Sequence, residues 1–163
     1  FKMVLDPADP LVVTSLSILI DGDPASGQSN KDLGLIHNPD NVETTGSSLM
    51  IQEDPGGQNQ YAPNDPAGTA ARIWRYDLKT GKLSVVATVN QSLDPAAALG
   101  TWESSGIVDA SAMFGRGAFL VNVQAHSIFV ETAPGPDLLA PAGPGWTYKR
   151  EGGQMLLLRI PGA

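Results

Sequence analysis

The sequence predicts an all-β protein made of repeated antiparallel sheets, and three observations carry that reading. Short runs rich in β-branched and apolar residues alternate with turn chemistry, and the 163 residues include 18 Gly and 13 Pro. That pattern fits many short strands better than helices. The stretch from Pro39 to Val89 reads as one four-stranded sheet, and the region after Trp102 reads as a weaker copy of it. The two copies place a glutamate in similar contexts, Glu43 in ETTG and Glu103 in ESSG, 60 residues apart. Repeated sheets with repeated carboxylates near strand starts predict part of a β-propeller with a metal site on its axis.

Each element has a local reason. Phe1 to Asp9 ends in Asp-Pro turns, and Leu11 to Ile20 (LVVTSLSILI) reads as a strand stopped by Asp21-Gly22-Asp23-Pro24. Ala25 to Asn38 reads as a loop, with one helical turn allowed near Lys31. Asn38-Pro39-Asp40-Asn41 is a tight turn leading into Val42-Glu43-Thr44. Ser48 to Glu53 has strong β propensity and halts at Asp54-Pro55-Gly56-Gly57. Gln58 to Ala70 is a polar loop. Arg72 to Asp77 and Leu83 to Val89 form a hairpin around Leu78-Lys79-Thr80-Gly81-Lys82, with Gly81 expected at positive φ. Asn90 to Gly100 links the copies; its Asn90-Gln91-Ser92 matches the glycosylation pattern, for which chance occurrence is the leading account. Trp102 to Asp109 and Ala118 to Gln124 are the next strands. Ser127 to Arg150 is a Pro/Gly-rich excursion, and Gln154 to Ile160 is a last apolar strand.

Composition removes several function classes. A formal charge of −7 and a pI near 4.6 disfavour a nucleic-acid or membrane-surface partner, because phosphate binding needs a basic face. The chain has no cysteine, so it contains no disulfide, thiolate nucleophile or Cys-held metal. No apolar run reaches the ~20 residues of a spanning helix. No Gly-x-Ser-x-Gly elbow, Walker loop or dinucleotide fingerprint is present.

Propeller blades take ~40–50 residues, and a closed ring needs at least four of them. The reading is therefore a single β-propeller portion over 1–163: a strand and loop to 38, a blade over 39–90, and a second blade with a long insertion over 101–163. Exposed sheet faces and edges then call for another chain or fragment that completes the ring. Carboxylates crowded at an axial mouth repel one another unless a cation lies between them. Glu43 and Glu103 are the first candidates, followed by Glu53 and Asp54 at the far end of the next strand, with Gln124 and His126 at the corresponding place in the second copy. Carboxylate and amide oxygens suit Ca²⁺; carboxylates with His also accept iron. The plainer readings are a solvated Glu at a strand start, a polar turn at Glu53-Asp54-Pro55-Gly56, and a surface His126. Trp74, Tyr76 and Trp102 read as packing between blades. Arg72, Arg75, Arg116 and Arg150 are scattered.

The segments PDN (39–41), IQEDPGG (51–57), RIWRYDLKTGKL (72–83), ESSGIVDAS (103–111), FLVNVQAHS (119–127) and GGQMLLLRIP (152–161) resemble the PhoX-type alkaline phosphatases. These are exported bacterial proteins with a six-bladed propeller-like fold. The likeness covers most of the chain from Pro39 onward and corresponds to the C-terminal part of such a protein. It implies a periplasmic or secreted hydrolase that cleaves phosphate esters at a cluster of Ca²⁺ and Fe³⁺, with Glu53 and Glu103 as the leading ligands and Glu43 and Asp54 next. The family's cluster includes a cysteine that this chain lacks, and VQAHS stands where VQHP is usual. The alternatives are a calcium-dependent propeller hydrolase of the lactonase or phosphotriesterase kind, and a non-catalytic binding or structural propeller.

Overall fold

The computed structural model describes residues 1–22, 33–56, 68–95, 97–129 and 151–161. The described chain is all-β, with three antiparallel sheets, none of them closed. β1 (Lys2–Leu5) and β2 (Val13–Ser17) make a two-stranded hairpin. The sequence predicts a single strand there. The four residues of β1 are too few for a periodic pattern to reveal, and the second strand is shorter than its apolar run.

The second sheet is a meander of β3 (Pro39–Thr44), β4 (Ser48–Glu53), β5 (Arg72–Asp77) and β6 (Leu83–Thr88), in that spatial order. The expected Gly81 turn closes its last hairpin at φ +70°. Asp77 Oδ1 accepts from the amides of Lys79 and Thr80 and from the Thr80 hydroxyl, so this turn is fixed by its own side chains. The third sheet is β7 (Trp102–Asp109), β8 (Ala118–Phe129) and β9 (Glu151–Arg159). Between β7 and β8 lies α1 (Ser111–Phe114), a single helical turn. The loop over 57–67 and the excursion over 130–150 lie outside the described residues.

The two meanders pack side by side. One face of β4 and β5 turns toward the third sheet, where Met50 and Ile73 join Ile107, Phe119, Val121 and Ile160 in the main core. Trp102 packs with Ala71, Val89 and Ala125 in a second cluster between the sheets; Trp74 and Tyr76, expected there as well, lie instead on the opposite face of the second sheet. The opposite face of the second sheet carries Ile51 and Trp74, covered by Ile36 and Ile20. Alternation of side chains along each strand dictates this division.

The first strands of the two meanders lie next to each other and run the same way. Asn41 Oδ1 accepts from the Ser105 hydroxyl and the Gly106 amide, and Glu43 Oε1 accepts from the Asp109 amide at 2.9 Å. Gly106, at φ +62°, sits in a register break of the β7–β8 ladder, and that bulge turns its N–H toward Asn41. Among the described residues no helix is long and apolar enough to cross a membrane.

Candidate functional site

One end of the paired first strands gathers polar chemistry. The chain reaches β3 through Asn38, which holds φ +42°, a conformation Asn tolerates better than most residues. The Asn38 side chain donates to the Asp54 carbonyl, and the Asp54 amide donates to the Asn38 carbonyl. The start of β3 and the exit of β4 are thereby locked together. Beyond Asp54, Pro55 and Gly56 press on Gly100 and Thr101, just before β7. A Cβ at position 56 would fall 2.3 Å from the Gly100 carbonyl oxygen, so only glycine allows the approach. This contact brings Asp54 and Asp40 toward Glu103, the second residue of β7.

Glu103 is 7% exposed. Its Oε1 lies 2.9 Å from His126 Nε2, and its Oε2 is buried with no hydrogen-bond partner. Burial pushes the Glu103 carboxyl above its ordinary range; the His126 hydrogen bond opposes this, and the negative charges of Asp54 and Asp40 add to it. A buried carboxylate oxygen without a partner, in the field of two further carboxylates, is electrostatically suited to a cation or a proton. Among the described residues, no three His, Asp or Glu side chains come close enough together to hold a metal ion. Glu103 can therefore supply only a small part of the six to eight oxygens Ca²⁺ takes.

The other expected ligands are placed differently. Glu53 is fully buried and already saturated. Its Oε1 accepts from the His37 amide, Arg72 Nη2 and Trp74 Nε1, each at 2.8 Å, and its Oε2 accepts from the Arg72 amide and Arg72 Nε. Arg72 in turn donates to the carbonyls of Leu33 and Leu35 and stacks on the Trp74 ring. This network fastens the segment over 33–38 to the second sheet, and a cation at Glu53 would have to displace a bidentate guanidinium. Glu43 lies at the other end of the first strands, held by the Asp109 amide. Along β7, Asp109 is six residues from Glu103, ~20 Å of strand at ~3.3 Å each. The two glutamates matched by sequence context do not converge.

His126, matched by sequence to Glu53 and Asp54 of the first copy, meets Glu103 across the β7–β8 pair. Asp40 was read only as a turn residue; the available signal was its position at the start of the inner strand. Arg75 sits 3.6 Å from Asp77, and Arg150 lies outside the described residues. In comparison with known proteins, no family model, curated protein or solved structure matches the chain.

Proposed function

We propose that the two meanders are neighbouring blades of a β-propeller, and that the chain is part of a metal-dependent phosphomonoester hydrolase of the PhoX kind. The observation that carries the metal reading is Glu103, a buried carboxylate with one oxygen on His126 and the other unpartnered. The residues at the mouth suit a hard cation, because the available donors are carboxylate oxygens and the chain has no thiolate; this favours Ca²⁺ over iron. Glu103 would hold it as one ligand, and the further ligands would come from outside the described residues. That division is natural for an axial site, to which every blade contributes a little. When bound, the cation supplies the positive charge that activates an oxygen nucleophile and stabilises phosphoryl oxygens. The chain's own part is to orient: His126 fixes the Glu103 carboxylate, and the Asn38–Asp54 clamp holds the acidic loop against it.

The test is phosphatase activity against a simple aryl phosphate before chelation, after it, and after Ca²⁺ is restored. Loss and recovery with wild type, and no recovery with Glu103→Gln, support the reading. Activity untouched by exhaustive chelation sinks it. Calcium binding with turnover of lactones or phosphotriesters but not monoesters moves the protein to the other propeller hydrolases.

A further inference from the structure

Two parts of the molecule are uncovered in complementary ways. The β1–β2 hairpin buries nothing: every residue of both strands is exposed, including Met3, Val4, Leu5, Val13 and Leu16. A two-stranded hairpin is marginal in water without a sheet to join. In the third sheet, β9 is the last of three strands, while the neighbouring meander has four. Its second edge has no strand partner among the described residues, and Met155, Leu156 and Leu157 are all exposed. An apolar free edge of this kind is a template for strand addition. The other outer edge, β6, is a poorer one, because Ser84 and Thr88 interrupt it.

From this complementarity we propose that the β1–β2 hairpin of a second copy of this chain adds to the β9 edge, joining copies head to tail. The five residues of β2 fit within the nine of β9, over its apolar centre from Met155 to Leu158. Charge selects the orientation. The hairpin tip carries Asp6 and Asp9, and β9 ends in Arg159. Only antiparallel addition of β2 brings the acidic tip to Arg159; parallel addition takes it to the opposite end of β9. Antiparallel addition also continues the meander. The contact joins two different patches, so it is heterologous and builds a ring if the rotation closes. It rests on the propeller reading only for ring closure.

The experiment is sedimentation of the chain together with directed cross-linking, which the absence of native cysteine makes clean. Leu16→Cys and Met155→Cys are made as separate proteins; both positions are exposed, at 62% and 71%, so neither change disturbs a core. A short bis-maleimide should join them when the two proteins are mixed and leave each one alone uncoupled. Leu16→Lys and Met155→Lys should each convert the oligomer to monomer. A wild-type chain that stays monomeric at its highest soluble concentration overturns the proposal, as does cross-linking that is equally efficient within a single variant. Calcium affinity is read separately, so failure here is distinguishable from failure of the metal reading.

Discussion

At the scale of single residues, the two buried glutamates do opposite jobs, and substitution separates them. Glu53 neutralises a guanidinium that is itself 6% exposed, so Glu53→Gln leaves Arg72 charged and poorly matched in the interior. The expected cost is ~3–5 kcal/mol, measured by urea denaturation. Glu103→Gln should do the reverse. A carboxyl raised by burial favours the folded state only where it is protonated, so Glu103 stabilises relative to its ionised form below the ordinary carboxylate range. That contribution disappears as pH rises through the raised value, and the ionised group then weighs against folding. Removing the charge should therefore raise the Tm of calcium-free protein at neutral pH by about 2–4 °C, the equivalent of ~1 kcal/mol in a chain this long. The gain should fade when the scan is repeated below the ordinary Glu pKa. Added Ca²⁺ should stabilise the wild type and not the variant. A Tm difference that is the same at both pH values would mean that the Glu103 charge is not under strain.

At the scale of elements, the clamps between the first strands of the two sheets are hydrogen bonds, and they predict a specific contrast at Glu43. Its Oε1 is used only as an acceptor for the Asp109 amide, so Glu43→Gln keeps the bond and should be nearly neutral. Glu43→Ala abandons a half-buried donor and should cost ~1 kcal/mol in thermal unfolding. A large loss of calcium affinity in Glu43→Gln would show the reverse, that the residue ligates. Gly56→Ala forces apart the contact at Gly100 that brings Asp54 toward Glu103; it should lower both stability, by ~2 kcal/mol or more, and calcium affinity in titration calorimetry. The strands themselves were legible in sequence because apolar runs such as SLMIQE and RIWRYD end in unambiguous turn residues. The site was legible only in part. Glu103, His126 and Asp54 were visible as candidates, but pairing Glu43 with Glu103 relied on similar local words 60 residues apart, whereas the partners across the strands differ by 64 to 66. A strand's level against its neighbour is set by backbone contacts and a bulge at Gly106, which the flanking ETTG and ESSG do not encode. Likewise nothing near Glu53 announces Arg72, whose approach depends on the β4–β5 register.

At the scale of the whole molecule, a buried Glu103 oxygen without a partner and a β9 edge with no strand partner among the described residues belong to one thermodynamic problem. Glu103 alone is too little to satisfy a calcium ion, and the negative charges of Asp54 and Asp40 add to the cost of ionising it. If neighbouring copies bring further oxygens to the axis, every contact that closes the ring also improves the site. Calcium then binds the assembly more tightly than the single chain, and linkage requires the converse, that calcium strengthens assembly by the same factor. The expected outcome is a sedimentation profile that shifts toward larger species as Ca²⁺ is added and returns toward monomer with chelator. The apparent calcium affinity should likewise rise with protein concentration. Met155→Lys, which touches no part of the mouth, should weaken calcium binding to the level of the isolated chain. A calcium affinity that is independent of protein concentration, and unchanged in Met155→Lys, would mean that one chain carries the complete site and that assembly and metal binding are separate properties.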